Sequence, residues 1–491
     1  MDYILAIDQG TTGSRAVIID HKGKVLGQES EEFRQIFPKP GWVEHDAEDI
    51  WRSVTNVIQK VLKKHGISSD KIKAIGITNQ RETSLLWDRR SLKPIHNAIV
   101  WQDRRTAEFC EKLKSQGLER EFKSKTGLVL DPYFSGTKFR WLLDHVHGAR
   151  SLARAGKLCF GTIDSFLVSR LTAGQAHVTD VSNASRTLMM DLEKLEWDKS
   201  LCDILKVEMA ALPTIKSSIG LFGHTLNVKG LRDGIPISGI AGDQQAALFG
   251  QVCFKNGEAK CTFGTGSFLL LNTGDKIVKS KSGCLTTVAW QWRGVTTYAL
   301  EGSSFICGAA IQWLRDGLKI ISSSEEVESL AKSVEDNGGV QFVPALTGLG
   351  VPHWDPEARG VITGLTRGST KAHLARAALE GMALQNVELL TAMQKDLKKK
   401  LKLVKVDGGA SKNNLLMQIQ ADYLGVKCLR PKVIETTAMG AAFMAGLGVG
   451  IWTDLSAIEK IWNKDKEFLP EISNGDRARR LKFWLTSVKK A

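Results

Sequence analysis

The chain has 491 residues, 43% hydrophobic and 24% charged, with 67 Lys plus Arg against 53 Asp plus Glu and a net charge of +14. That length exceeds one compact core, so at least two domains are expected. No apolar run reaches the roughly 18 residues of a membrane span, the closest being the Gly- and Ala-rich stretch 438–452, and the eight cysteines form no C-x-x-C pair, so neither a zinc site nor a dithiol motif is suggested.

The chain opens on an apolar run, Tyr3-Ile4-Leu5-Ala6, that reads as a strand and enters Ile7-Asp8-Gln9-Gly10-Thr11-Thr12-Gly13-Ser14-Arg15. A second strand, residues 16–19, follows at once. A small-residue hairpin of this kind lets a polyphosphate approach backbone N–H groups, which form an anion nest. Asp8, at the strand end, suits the cation that travels with such phosphates. Residues 24–31 and 73–78 read as further strands, and Asp46 caps a helix whose apolar residues Ile50, Trp51, Val54, Val57, Ile58 and Val61 recur at helical spacing. Alternating strands and helices predict an α/β architecture.

Midway, Cys261-Thr262-Phe263-Gly264-Thr265-Gly266-Ser267 repeats the strand–glycine turn–strand logic. The spacing then predicts a helix over 303–320, a long helix over 370–399, a strand over 404–407, and a helix over 412–424 stopped by Gly425. Residues 438–452, rich in Gly and Ala, read as a closely packed buried helix, and 477–490 as a helical tail. The chain thus divides into two related halves, 1–249 and 250–491, closely apposed and each opened by a phosphate-type hairpin.

The basic clusters at 395–402 and 477–490 lack interleaved aromatics and read as solvated faces, so no nucleic-acid partner is expected. The scattered cysteines read as core residues of a reducing, cytoplasmic compartment. With a strand starting at Tyr3, no targeting peptide is expected. Two further turns carry chemistry. Val406-Asp407-Gly408-Gly409-Ala410-Ser411-Lys412-Asn413 places a glycine turn at a strand end, a common ligand position in α/β folds. Gly239-Ile240-Ala241-Gly242-Asp243-Gln244 sets Asp243 on a short turn after a strand. Two phosphate turns with carboxylates at Asp8 and Asp243 are what phosphoryl transfer requires. Taken singly the residues have ordinary readings: Arg81-Glu82 a surface ion pair, Trp101 and Tyr133 core or edge aromatics, Asp243 a helix cap.

Together they resemble the FGGY carbohydrate kinases. Tyr133-Phe134-Ser135-Gly136-Thr137-Lys138-Phe139-Arg140-Trp141 matches one family signature, and Gly360 through Gly364-Leu365, His373-Leu374 and Ala377-Ala378-Leu379-Glu380 the other. Thr78-Asn79-Gln80-Arg81-Glu82-Thr83 and Ile99-Val100-Trp101-Gln102-Asp103-Arg104-Arg105 are similar to the substrate motifs of members that act on glycerol. The resemblance implies two actin-like (ribonuclease H-like) domains with mixed sheets flanked by helices, an active site in the cleft between them, and transfer of phosphate from ATP, with Mg²⁺, to glycerol. It assigns Thr11, Thr12, Gly13 and Arg15 to the phosphates, joined by Thr265 from the second half, and Asp8 to the metal. Gly308, Gln312, Gly409 and Asn413 would line the adenosine pocket. Arg81, Glu82, Tyr133, Asp243 and Gln244 would hold glycerol, Trp101 and Phe268 would cover its carbons, and Asp243 would be the general base. A homodimer or homotetramer is expected by analogy. Gly13 stands where relatives often have Ser. The stretch 227–234 lacks the glycine-rich Thr-Arg loop that binds a sugar bisphosphate in some members. Another FGGY kinase, for a different polyol or a ketose, is the close alternative. An actin-like nucleotide switch is a third reading, and it leaves the second-substrate motifs unexplained.

Overall fold

The computed structural model describes residues 2–355 and 357–491. Two mixed sheets dominate it. The first is built from β1 (Tyr3–Gln9), β2 (Gly13–Asp20), β3 (Val25–Glu32), β4 (Ile72–Asn79), β5 (Ile219–His224) and β6 (Pro236–Gly242), in the order β5-β6-β4-β1-β2-β3. β1 pairs antiparallel with β2 and parallel with β4, and β4 pairs parallel with β6. The second contains β7 (Ala259–Phe263), β8 (Ser267–Gly274), β9 (Leu285–Trp292), β10 (Val295–Ser304), β11 (Leu403–Asp407), β12 (Lys427–Pro431) and β13 (Lys464–Phe468), in the order β9-β10-β8-β7-β11-β12-β13. The run β10-β8-β7-β11-β12 repeats β3-β2-β1-β4-β6 strand for strand, with the same antiparallel and parallel pairings. The internal echo seen in the two glycine hairpins is therefore an echo of whole sheets.

Strand alternation splits each face cleanly. Leu5, Ile7, Ala16 and Ile18 point to one side of the first sheet, where α1 (Ala47–Lys64) covers them with Ile50, Val54, Val57 and Val61. Asp46 caps α1 by accepting from the Glu48 amide. Ile4, Ala6, Val17 and Ile19 point to the other side. There they meet α2 (Asp243–Gly250) and α6 (Thr436–Gly448), the latter from the far end of the sequence. Between them lie α3 (Gly308–Asp316), α4 (Lys371–Leu397) and α5 (Asn414–Leu424), with α7 (Asn474–Val488) last. α6 packs directly on β1, β4 and β6 and on α2. This closeness rests on small residues: a Cβ at Gly440 would stand 1.8 Å from the Ala246 carbonyl oxygen, and one at Gly76 would stand 2.2 Å from that of Ala441. The same apolar cluster takes in Leu270, Ala289 and Ala299 of the second sheet, so one continuous core joins the two halves.

Three predicted elements shift. Ser303 and Ser304 end β10 instead of starting a helix, and α3 begins only at Gly308. Residues 409–412 form a single 3-10 turn, so α5 starts at Asn414. No turn separates β6 from α2: the strand runs straight into the helix, with Gly242 as cap and Asp243 as first helical residue.

Candidate active site

The two glycine hairpins close by the same bond. Gly10 N–H donates to the Gly13 carbonyl and Gly264 N–H to that of Gly266, each at 2.9 Å. In the first, Asp8 lies opposite Arg15 in the β1/β2 register. Burial, reinforced by Asp243 and Glu435 and opposed by Arg15, pushes the Asp8 carboxyl up to about 7. Arg15 forms an ion pair with Glu435, which caps α6. Gly13 has a steric reason to be glycine, because a Cβ there would sit 2.8 Å from the Glu31 carbonyl of β3. In the second hairpin the Thr265 carbonyl accepts from the Cys307 and Ala309 amides at 2.8 and 3.1 Å, and Gly308 N–H donates to Gly264. The start of α3 is thereby docked onto the turn, and a side chain at position 308 would meet the Gly264 oxygen at 2.7 Å. Gln312 is exposed on α3. Gly409 stands in the open, with nothing within 4 Å of the place a Cβ would take. Asn413 caps α5 with its side-chain oxygen on the Leu416 amide at 2.9 Å, which leaves its amide nitrogen without a protein partner among the described residues.

Arg81, Glu82, Tyr133 and Asp243 come together. Arg81 and Glu82 are not a surface pair: they are 2% and 1% exposed. Arg81 Nε lies 3.1 Å from Asp243 Oδ1, and Nη2 lies 3.3 Å from the Tyr133 hydroxyl. Asp243 also accepts from the Gln244 amide at 2.7 Å, and its side chain remains 32% exposed. It is the partly open carboxylate beside the buried Arg81 and Glu82, at the N-terminus of α2, where the helix dipole favours negative charge. Glu82 holds a left-handed backbone, φ 58°. A non-glycine residue pays for that conformation in strain, and such strain concentrates at functional sites. Its carbonyl is fixed by the Ser84 and Ser135 hydroxyls at 2.9 and 3.1 Å. Trp101 meets Tyr133 edge-on at 5.6 Å and donates its indole N–H to Thr11 Oγ1 at 2.9 Å, tying the acceptor cluster to the first hairpin. Phe268, half-buried on β8, pairs with Ser303 of β10.

Four buried charged residues at the site escaped sequence reasoning. Glu301 of β10 receives Arg81 Nη1 at 2.6 Å and Nη2 at 2.8 Å, and Arg186 Nη2 at 3.1 Å. Arg186 Nε also donates to Glu82 at 2.7 Å. Burial opposes ionisation of Glu301, but Arg186 and Arg81 overcome it and hold the carboxyl down to about 2. Lys260 of β7, fully buried, donates to Gln244 and to Thr262. Lys138 is also fully buried and gives its ammonium to the carbonyls of Pro132, Tyr133 and Phe134 at 2.9, 2.6 and 3.0 Å, fixing the turn that presents Tyr133. The available signal was a lone charge inside an apolar strand, as in Ala299-Leu300-Glu301-Gly302 and Ala259-Lys260-Cys261.

Residues 3–250 match the N-terminal domain of the FGGY family of carbohydrate kinases, and residues 259–449 match its C-terminal domain. The chain belongs to the FGGY family of carbohydrate kinases. This FGGY kinase is 58% identical to a glycerol kinase of Bdellovibrio bacteriovorus over 99% of both chains. It is 56% identical to one of Myxococcus xanthus, over 100% of this chain and 99% of the other. The structure of Plasmodium falciparum glycerol kinase with ADP superposes with a TM-score of 0.93 at 37% identity, covering 100% of this chain and 98% of that one. The two repeated sheets are accordingly the two actin-like domains of this FGGY kinase. Among its described residues no helix is long and apolar enough to cross a membrane, and all eight cysteines are unpaired and buried.

Proposed function

We propose that this FGGY kinase transfers the γ-phosphate of ATP to a primary hydroxyl of glycerol, giving sn-glycerol 3-phosphate and ADP. The observation that carries the reading is the convergence of Tyr133 and Asp243 on Arg81, tied by Trp101 to the first hairpin. Full-length identity to glycerol kinases supports it. A triol must be recognised by hydrogen bonds. Arg81 supplies donors and Glu82 acceptors, Tyr133 and Gln244 complete the set, and Trp101 and Phe268 cover the carbons. Asp243, the most open of the carboxylates, takes the hydroxyl proton and aims the oxygen at the phosphate. Thr11, Thr12, the Gly13 amide and Arg15 grip the phosphates from the first half and Thr265 from the second, once Arg15 exchanges Glu435 for phosphate oxygen. Gly308, Gln312, Gly409 and the free amide of Asn413 line the adenosine pocket.

Among the described residues no group of three His, Cys, Asp or Glu forms a cage for a metal. The Asp8 carboxylate, which feels the charges of Asp243 and Glu435, would suit a Mg²⁺ ion that arrives with the nucleotide and keeps most of its waters. Such an ion neutralises phosphate charge when bound, and it relieves the crowding of Asp8 against Asp243 and Glu435. In this reading residues 1–249 form the acceptor domain and 250–491 the adenosine domain, and the enzyme works in the cytoplasm as a homodimer or homotetramer.

The test is ADP release with glycerol, dihydroxyacetone, xylulose and gluconate, repeated with Asp243→Asn. Glycerol-dependent release that falls about 10²–10⁴-fold in the variant is expected, the usual worth of a positioned general base. Equal release with and without glycerol would end the reading. Preference for xylulose or gluconate would shift the acceptor to a ketose or sugar acid.

A further inference from the structure

The acceptor cluster is assembled from the first half of the chain, yet its central arginine is held from the second. Arg81 has five N–H donors in one plane. Glu301, on β10 of the second sheet, takes one hydrogen from each terminal nitrogen, at 2.6 and 2.8 Å, in a two-pronged contact. Gln245 Oε1 takes another from Nη1 at 3.2 Å. What remains is the edge formed by Nε and the second hydrogen of Nη2, and this edge faces Asp243 and Tyr133. Arg186 closes the arrangement by bonding Glu301 with Nη2 and Glu82 with Nε. Arg81, Arg186, Glu82 and Glu301 form a charge-balanced quartet, none more than 2% exposed.

We propose that Glu301 is a positioning residue for the acceptor alcohol: by occupying the outer fork of Arg81 it turns the Nε–Nη2 edge toward the substrate hydroxyls, while Arg186 holds Glu82 in register beside it. The inference rests on the glycerol reading above and adds its geometric cause. A two-point guanidinium–carboxylate contact fixes orientation as well as distance. An arginine without it swings about its side-chain torsions and presents any of its edges. Glu301, from the half of the molecule assigned to the nucleotide, therefore completes the acceptor subsite without itself touching the acceptor.

The test compares wild type, Glu301→Gln, Glu301→Asp and the double variant Glu301→Gln/Arg186→Met in steady-state kinetics and thermal melting. Wild type tests the substrate reading by itself, through glycerol-dependent ADP release. For Glu301→Gln the expected result is a rise in the KM for glycerol of tenfold or more, with kcat changed less than threefold and the KM for ATP within twofold. Glu301→Asp, which keeps the charge but shortens the reach, rises several-fold. The double variant removes one charge of each sign, so it regains the melting temperature lost by Glu301→Gln but keeps the raised KM for glycerol. A purely structural quartet gives the opposite pattern: the double variant recovers KM together with stability. That pattern, or a KM for glycerol within twofold of wild type in folded Glu301→Gln, or equal rises for glycerol and ATP, overturns the proposal.

Discussion

Replacing Asp8 by Asn should stabilise the protein and impair nucleotide binding at once. The carboxyl is raised from 3.8 to about 7, chiefly by burial and then by Asp243 and Glu435, against the pull of Arg15. The sign follows from proton binding. Below pH 3.8 both folded and unfolded chains carry the proton, and the group has no effect. Between 3.8 and 7 the folded chain binds more protons than the unfolded one, so stability falls as pH rises. Above 7 the penalty is complete. With 1.36 kcal/mol per pKa unit it is about 1.7 kcal/mol at pH 5 and up to ~4 kcal/mol at pH 8. Asn carries no such penalty. For 491 residues unfolding together, an entropy of roughly 2.1 cal/mol/K per residue turns these figures into a Tm gain of about 2 °C at pH 5 and ~4 °C at pH 8. Calorimetry of both proteins at the two pH values measures this directly. In parallel, the wild-type KM for Mg-ATP should climb toward tenfold per unit below pH 7, because the ionised carboxylate is the form that meets the cation, while the variant shows a weak, flat affinity. A variant that gains equally at pH 5 and pH 8, or one that loses stability at pH 8, refutes the assignment of Asp8 as a strained, function-bearing carboxylate.

Other outcomes follow from single contacts. Gly440→Val drives a branched side chain into the Ala246 carbonyl, 1.8 Å from where its Cβ would stand, and should cost at least ~3 kcal/mol, seen as a lowered Tm. Asn413→Ser keeps the α5 cap but removes the free amide, so the KM for ATP should rise with little change in Tm; Asn413→Ala adds a loss of about 1 kcal/mol. Lys138, whose ammonium is pushed down to about 8 by burial, contributes a penalty below pH 8 that is relieved as pH climbs toward 10.5. Across that window wild type should therefore gain up to ~3 kcal/mol relative to Lys138→Met, and the variant should show a raised KM for glycerol as the Tyr133 turn loosens.

Local signals carried the elements whose pattern is local. Asp46, the 3.6-residue spacing after it and the glycine at 425 placed two helices closely, and both glycine hairpins formed as their sequences imply. The misplaced helix start at 303 has a physical cause. Ser303 and Ser304 are drawn into β10 by pairing with Phe268 and Ser267, a contact between distant stretches that periodicity cannot register. The same limit governs the site. Arg81-Glu82 stood out through motif likeness, whereas Glu301 and Arg186, which bury that pair, are isolated charges whose meaning depends on partners 104 to 220 positions away. Glu435 opposite Arg15 is separated by 420. Charge pairing at such range leaves no periodic trace.

The seating of α6 on the first sheet has a consequence for synthesis. Residues 436–448 cover Ile4, Ala6, Val17 and Ile19, which the ribosome has already made more than 400 residues earlier. The first domain therefore emerges with only α2 against that apolar face, and the area that α6 covers stays open until residues 436–448 have been made. A fragment ending at residue 250 should bind hydrophobic dyes and aggregate, and co-expression with residues 251–491 should rescue it. Domain-by-domain completion is closed to this chain, and a nascent sheet waiting for its last helix is the intermediate that chaperones would meet.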